Sequence, residues 1–454
     1  MITRINLGDG YAGKIDMREA LYEERSPLPV QERYLEELGQ HNYRELVDAS
    51  MQYHLTFGQA FAAACFALRA SNAKLDECNF GSLEDFGHDG NAMAGREILS
   101  GLAMKEAWGH LTPQEVAGMV TATMMDVMRF PDYGSEVIET CGMGGDRGLL
   151  LNGSRPERRK TINCSTLSAL VLAALGIKTA KHGSYSNTSA VGSTNAIEKL
   201  GAVVDIPDVA VQQQLAASNF HFTDAHAWKT IHDLSHLPPR RETVNHVIGP
   251  MTPPVSPATR LHKIIGVNEK LHPSVLAKAF IILNELGVFN VGNVAVVSGL
   301  SRVVPIGELD LHHRLRAYII LDELSPAASA VSFVRRGQFA GKHLLTPSQF
   351  GVHFSNFTNP FIPNVAEVIH EANLSALRGE VDERQLVELL AMNAALALYL
   401  VRSADDDAGL AEHGPSPDAL RDCYETCFNA LTDGRVYTFL QEHVDLTKQL
   451  AVDI

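Results

Sequence analysis

Hydrophobic and polar positions first alternate at helical spacing. Apolar residues recur every three or four positions from about Leu46, which predicts helices over 57–68 and 95–107. Thr112 as N-cap, Pro113 at the first position and Glu115 at the third predict the start of another helix, running to Met128. We therefore expect a small all-helical domain over 51–135, preceded by a charge-rich extension over 1–50.

The pattern changes after this region to short apolar runs that alternate with helical ones. The runs 177–180, 202–206, 220–222 and 294–298 predict buried strands. Helices are expected over 167–175, 192–200, 208–219, 274–286, 383–401 and 417–442. This alternation predicts a large α/β domain over 136–454 with a mainly parallel central sheet covered by helices. The helices near 208–219 are expected to join the small helical domain.

Composition and charge narrow the class of protein. The chain has 454 residues, 45% hydrophobic and 20% charged, with a net charge of −15. This acidic balance argues against a general binder of nucleic acid or anionic membranes. Six scattered cysteines show no disulfide framework, and Cys423 with Cys427 lacks a second pair for a metal site. We expect a cytoplasmic protein, since no apolar run is expected to span a bilayer and no signal-peptide core is evident.

Four polar clusters between Gly142 and Ser193 carry the candidate chemistry. Each cluster alone is typical of an ordinary turn or helix cap, but their succession at element boundaries favours a site for phosphate or pyrophosphate. Glycines free backbone N–H groups to converge on an anion, helix N-termini add partial positive charge, and Lys181 adds an ammonium. Asp146 is expected to accept a sugar hydroxyl or hold a metal. The candidate ligand residues are Gly142, Gly144, Gly145, Asp146, Asn163, Ser165, Thr166, Lys181, His182, Gly183, Ser184, Ser186, Thr188 and Ser189.

These motifs resemble the core of the anthranilate phosphoribosyltransferase family and, more distantly, the pyrimidine nucleoside phosphorylases. The matching stretches are GMGGD from Gly142, NCST from Asn163 and KHG from Lys181, in the family's order. The segment from Arg147 to Lys160 is longer than the family spacing. The resemblance extends over about 95–450 and implies phosphoribosyl pyrophosphate as the substrate.

A carboxylate pair continues the resemblance. Leu321-Asp-Glu-Leu-Ser325 matches the motif by which relatives bind magnesium, although the segment 301–320 separates it from the preceding strand. Adjacent carboxylates are often only a solvated pair, but Mg²⁺ selects such oxygens together with substrate phosphate. The resemblance implies Asp322, Glu323 and Ser165 as metal ligands, with Lys181, Asp322 and Glu323 catalytic.

The acceptor side departs from the family pattern. Ser184 and Tyr185 replace the family's asparagine and arginine after KHG, and His236 stands where an arginine grips the acceptor carboxylate. His226 is the candidate for lining the acceptor pocket, and Arg240 or Arg241 fills the arginine role if a local gap is allowed. A histidine pair, His232 and His236, is also compatible with metal but more typical of pocket lining.

The resemblance implies a glycosyltransferase that transfers phosphoribosyl to an aromatic amine, anthranilate or a related acceptor, and releases pyrophosphate. It also implies Mg²⁺ as cofactor, a role in tryptophan biosynthesis and a homodimer through the helical domain. Two alternatives remain open. One is a nucleoside phosphorylase that uses inorganic phosphate, and the other is a non-catalytic paralogue that binds nucleic acid or a protein partner.

Overall fold

The computed structural model describes residues 43–52, 54–71, 87–125, 130–151, 157–186, 190–225, 244–404 and 414–452. The chain divides into two compact units. The first takes its residues from Met1–Phe130, Ala225–Pro257 and Lys278–Asn290, and the second from Pro131–Asp224, Ala258–Ala277 and Val291–Ile454.

Helices and strands alternate through the described chain after an all-helical beginning. The helices are α1 (Tyr43–Gln52), α2 (Phe57–Ser71), α3 (Gly87–Ala107), α4 (Pro113–Met125), α5 (Cys164–Ala174), α6 (Ser193–Lys199), α7 (Asp208–Ser218), α8 (Asn245–Met251), α9 (Pro273–Glu285), α10 (His312–Leu315), α11 (Ala366–Leu377), α12 (Arg384–Arg402), α13 (Pro417–Thr432) and α14 (Arg435–Val452). The strands are β1 (Glu136–Gly142), β2 (Leu149–Leu151), β3 (Glu157–Lys160), β4 (Thr179–Gly183), β5 (Phe220–Asp224), β6 (Arg260–Gly266), β7 (Asn290–Leu300), β8 (Ile319–Leu321), β9 (Ala328–Arg335), β10 (Gln338–Leu345) and β11 (Ile362–Pro363).

Helices α1 to α4 belong to the first unit, and a capping box fixes the start of α4. The Thr112 amide donates to Glu115 Oε2 at 2.9 Å, and the Glu115 amide donates to Thr112 Oγ1 at 3.2 Å. Glu115 Oε1 also accepts a bond from Lys105 Nζ at 2.7 Å. A Cβ at Gly118 would lie 2.5 Å from the Phe57 carbonyl oxygen, so this glycine allows α2 and α4 to approach closely.

The second unit is built on an eight-stranded sheet. Its strands follow the order β10-β9-β7-β6-β1-β4-β5, and β8 pairs with β7. The pairs β1–β4, β1–β6 and β4–β5 are parallel, whereas β7–β9, β9–β10 and β7–β8 are antiparallel. The expected α/β class with a largely parallel central sheet is therefore confirmed. A small antiparallel sheet of order β11-β3-β2 lies beside it in the same unit.

Helices α5 and α12 supply much of the apolar core of the second unit. Nine of the eleven residues of α5 are buried, in keeping with its continuous run of Leu, Val and Ala. One stretch of the described chain, Val381–Arg402, has the length and composition of a membrane span, and 83% of its most apolar window is buried in the structure. This finding corrects the expectation that no apolar run in the sequence is long enough to span a bilayer. Buried core helices share this length and composition, so the stretch is weak evidence for a span.

Two expected elements are wrong. The run 202–206 forms no strand, because the Val203 amide donates to Thr447 Oγ1 of α14 at 3.0 Å and Pro207 follows directly. The run 417–442 holds two helices, α13 and α14, separated at Gly434, whose φ of +84° ends the helical conformation. The helix expected to join the helical domain, α7, falls instead in the second unit. The remaining domain boundaries stay a prediction.

Candidate functional site

The glycine loop begins where β1 ends. Gly144 and Gly145 adopt φ values of +69° and +66°, the left-handed region in which a Cβ is unfavourable. The Met143 amide donates to the Gly266 carbonyl at 3.1 Å, and Asn268 Nδ2 donates to the Gly144 carbonyl at 2.9 Å. The end of the neighbouring strand β6 therefore holds the loop.

The carboxylate pair meets this loop. Asp322 follows β8, and its Oδ2 accepts a hydrogen bond from the Gly144 amide at 2.6 Å across 178 positions of sequence. A Cβ at Gly142 would lie 2.4 Å from the same Oδ2, and a Cβ at Gly266 would lie 1.4 Å from the Asp322 carbonyl oxygen. Because both positions are glycine, Asp322 can lie this close to the ends of β1 and β6.

Burial and repulsion favour the protonated forms of both carboxyl groups. Burial raises the pKa of Asp322 to about 6, with repulsion from Asp146 acting in the same direction. Burial raises the pKa of Glu323 to about 8, and the charge of Asp322 adds to the rise. Thr161 Oγ1 donates to Glu323 Oε1, which opposes the rise. An entering cation would relieve this repulsion.

Asp146, the last residue of the GMGGD motif, forms a buried ion pair with Lys160. Its carboxylate and its carbonyl oxygen both accept bonds from Lys160 Nζ, the latter at 2.8 Å. Arg158 Nη2 donates to the same carbonyl oxygen at 2.8 Å. The side chain predicted to accept a sugar hydroxyl or a metal thus has a cationic partner that sequence reasoning missed.

The NCST motif opens α5. Asn163 occupies the N-cap position without a side-chain cap bond, because its amide side chain bonds Asn373 Nδ2 at 2.9 Å and the Val191 carbonyl at 3.1 Å. Ser165 is half-buried, and its carbonyl accepts a bond from Thr140 Oγ1 at 2.6 Å. Thr166 Oγ1 is buried without a hydrogen-bond partner among the described residues. A buried unpaired hydroxyl in the first turn of a helix suits an incoming oxygen ligand.

Lys181 and His182 lie inside strand β4 and are buried, rather than following it. Lys181 Nζ donates to the His182 carbonyl, and burial lowers the pKa of this lysine. His182 Nδ1 bonds Glu139, whose other oxygen accepts Lys263 Nζ. Glu139, Cys141 and His182 form a group with metal-ligand spacing, but the Glu139 carboxylate already has these two partners.

The loop after β4 is bonded to the first turn of α6. Gly183 allows the approach, since a Cβ there would lie 2.3 Å from Ser193 Cβ. The Ser184 carbonyl accepts the Thr194 amide at 3.2 Å, and the Ser186 amide donates to Asn195 Oδ1 at 2.8 Å. The Tyr185 hydroxyl donates to Glu198 at 2.8 Å.

The structure brings together the glycine loop and the carboxylate pair, and it places the start of α5 beside them through Thr161 and Cys164, which both contact Glu323. Burial and the Glu323 charge raise the pKa of Cys164 well above its ordinary value. Sequence reasoning missed Thr161, Cys164, Asn268 and Asn373, because these contacts depend on distant parts of the chain. The predicted residues Thr188, Ser189, His226, Arg240 and Arg241 lie outside the described residues, as do His232 and His236.

The fold is α/β, and the site combines a glycine loop, a helix N-terminus and paired carboxylates. These features suit a phosphate-rich ligand and define the class of α/β proteins to which family 3 glycosyltransferases belong. Residues 135–314 match the family model described as "Glycosyl transferase family, a/b domain". Over 320 residues the chain is 32% identical to the anthranilate phosphoribosyltransferase of Pyrococcus abyssi, covering 68% of this chain and 82% of that one. The chain belongs to the anthranilate phosphoribosyltransferase family.

Further comparisons agree. The anthranilate phosphoribosyltransferase of Xanthomonas campestris pv. campestris is 30% identical over 361 residues, 78% of this chain and 86% of that one. The crystal structure of the Thermus thermophilus enzyme superposes with a TM-score of 0.61 at 20% identity, covering 89% and 99% of the two chains. The Saccharomyces cerevisiae enzyme in complex with PRPP and Mg gives 0.60 at 19% identity, covering 86% and 93%. These structures support the fold.

Proposed function

We propose that this protein transfers the 5-phosphoribosyl group from phosphoribosyl pyrophosphate to the nitrogen of anthranilate or a related aromatic amine. The bond from C1 of the ribose to pyrophosphate breaks, a bond from C1 to nitrogen forms, and the nitrogen loses a proton. The observation that carries the proposal is the bond of 2.6 Å between the Gly144 amide and Asp322, because it joins an anion-binding loop to a pair of metal-type ligands. The relatives named anthranilate phosphoribosyltransferase support it.

Magnesium fits the donor set. Asp322 and Glu323 offer hard oxygens, and burial together with repulsion from neighbouring carboxylates raises the pKa of both carboxyl groups. A divalent cation would relieve that repulsion. Ser165, at the start of α5, is our candidate for a third oxygen ligand. When bound with phosphate, the ion would neutralise charge on the leaving pyrophosphate. The Saccharomyces cerevisiae structure with PRPP and Mg supports this assignment.

The chain's own residues would bind and orient the phosphates. The first turn of α5 points partial positive charge at an anion, and the Gly144 amide could add a donor if it exchanged Asp322 for a phosphate oxygen. Thr166 brings a buried hydroxyl that has no hydrogen-bond partner within the described part of the chain. Catalysis then comes from positioning and charge stabilisation without a covalent nucleophile. Lys181 stays our candidate for a phosphate contact, which requires its ammonium to exchange the His182 carbonyl for the ligand.

The proposal extends to the acceptor, the oligomeric state and the cellular location of the protein. Ser184 and Tyr185 change the surface after β4, so a related aromatic amine is a candidate acceptor beside anthranilate. Tyr185 is 44% exposed and retains a hydrogen bond to Glu198. We propose a homodimer, as the family resemblance implies, and a cytoplasmic location, as expected from the sequence.

The test is a calorimetric titration of phosphoribosyl pyrophosphate with Mg²⁺, followed by pyrophosphate-release assays with anthranilate and a panel of aromatic amines and nucleobases. The double variant Asp322→Asn, Glu323→Gln should weaken magnesium-dependent binding by at least about a hundredfold and leave acceptor binding unchanged. The matched control is Asp382→Asn, Glu383→Gln, an exposed acidic dipeptide of the same sequence.

Release with anthranilate supports the proposal, and release only with another amine changes the acceptor. No binding of phosphoribosyl pyrophosphate, together with phosphorolysis of nucleosides, would replace the proposal with a phosphorylase. Equal loss of substrate and acceptor binding in the double variant would show that the carboxylates are structural.

A further inference from the structure

The segments 147–160 and 301–320 meet at one place. Segment 147–160 carries β2 and β3, and segment 301–320 ends in β8. The Gly148 amide donates to the Ile320 carbonyl at 2.8 Å. At the same glycine, with φ of +63°, a Cβ would lie 2.3 Å from the Arg159 carbonyl oxygen. Both segments therefore contact the distal end of the glycine loop, which we define as Asp146 to Gly148.

Two basic side chains of strand β3 donate hydrogen bonds to this distal end. Lys160, which is buried, donates to the carboxylate and the carbonyl oxygen of Asp146. Arg158 lies two positions earlier, on the same face of the strand, and donates to the carbonyls of Asp146 and Arg147 at 2.8 and 2.6 Å. Arg159 points to the opposite face and instead lies 3.4 Å from Glu157 and 3.5 Å from the Phe361 carbonyl.

Arg147, in the distal end, also contacts segment 301–320 and Glu269. Arg147 Nη1 donates to the Arg316 carbonyl at 3.3 Å, and Arg147 Nε lies 3.2 Å from Glu269 Oε1. The segment itself is anchored by a buried apolar cluster that includes Leu309, Leu315 and Ile319. Contacts from β3, segment 301–320 and Glu269 therefore hold the distal end.

We propose that Lys160 is a positioning residue, which fixes the distal end of the glycine loop for binding of the pyrophosphate group. This inference rests on the proposed function. A glycine-rich loop has few side chains of its own to order it, and its amides bind an anion well only when they are held in place beforehand. Lys160 supplies that order through Asp146. Because the ammonium is engaged with Asp146, its removal disorders the loop without deleting a contact to the acceptor.

Steady-state kinetics with each substrate varied in turn would separate this role from a general loss of folding. Lys160→Met should raise the KM for phosphoribosyl pyrophosphate by at least about tenfold, with the KM for the acceptor within about twofold of the wild type. Lys160→Arg keeps a cation and should recover most of the loss. Arg159→Gln, one position away on the opposite face, is the matched control and should behave as wild type.

A binding measurement keeps the inference testable if no acceptor is turned over. Calorimetric titration of inorganic pyrophosphate with Mg²⁺ should give a Kd about tenfold weaker for Lys160→Met than for wild type or Arg159→Gln. Arg158→Gln, which is exposed and whose loss threatens folding less, should show a smaller change in the same direction. Equal Kd values for Lys160→Met and wild type would overturn the inference. So would a loss of kcat and melting temperature in Lys160→Met at unchanged KM. Pyrophosphate binding by the wild type without any turnover would count against the proposed function alone.

Discussion

Asp322 Oδ2 accepts a hydrogen bond from the backbone amide of Gly144 at 2.6 Å. A predicted metal ligand therefore contacts a predicted phosphate-binding amide in the structure. The contact exists because Gly142 and Gly266 leave room for Asp322. The loop and the carboxylate pair form one site, in which a change to either should alter the other.

Gly142→Ala tests this dependence. The added Cβ would lie 2.4 Å from Asp322 Oδ2, so the carboxylate or the loop must move. We expect magnesium-dependent binding of phosphoribosyl pyrophosphate, measured by calorimetry, to weaken by at least about tenfold. Gly307→Ala is the control, because a Cβ there meets nothing within 4 Å. Unchanged binding in Gly142→Ala would show that the Asp322 contact is dispensable.

Glu323→Gln should change the pH dependence of stability. The pKa of Glu323 is raised from 4.5 to about 8, so folding favours the protonated carboxyl. Its favourable contribution is fully present below about pH 4.5 and is lost as pH rises through about 8. The amide cannot ionise, and it retains an oxygen for the Thr161 hydroxyl.

The measurement is urea unfolding without magnesium at about pH 5 and pH 9. The variant should be more stable than wild type by about 4 kcal/mol at the higher pH and nearly equal at the lower, since each unit of pKa shift is worth about 1.4 kcal/mol. A difference independent of pH would mean that Glu323 ionises normally in the folded protein.

The local parts of this site were predictable from sequence, whereas its electrostatic parts were not. Glycine clusters, the start of α5 and the Asp322–Glu323 pair are all defined by neighbours in the chain. Glu139 and Lys263, in contrast, are direct partners in the register of β1 and β6, which only the strand order reveals. Lys160 likewise reaches Asp146 because β3 folds back on the loop. The strand expected over 202–206 failed for the same reason, since its backbone bonds α14.

Glu115→Ala should destabilise the first unit strongly. Glu115 is buried and accepts bonds from Lys105 Nζ at 2.7 Å and the Leu55 amide at 2.9 Å, besides closing the capping box of α4. Its removal leaves a buried ammonium without its carboxylate, which costs about 3–5 kcal/mol. Chemical unfolding would measure this loss. Glu136→Ala, whose side chain is 46% exposed, should cost less than about 1 kcal/mol. If Glu115→Ala also lowered the free energy of unfolding by less than about 1 kcal/mol, the buried ion pair would contribute no more than a surface pair.

Lys181→Met separates a phosphate-binding lysine from a structural one. Lys181 is 1% exposed, and burial lowers its pKa, so the charged form is unfavourable in the folded chain. Because the pKa of this lysine is lowered, the stability of the folded protein should rise with pH toward the ordinary lysine pKa of 10.5. An apolar side chain of similar length should therefore not destabilise the fold near pH 7. If the ammonium serves the phosphates, pyrophosphate release should fall by about a hundredfold while the melting temperature holds or rises. Retained turnover would place Lys181 among the core residues and leave the phosphate charge to magnesium and the loop amides.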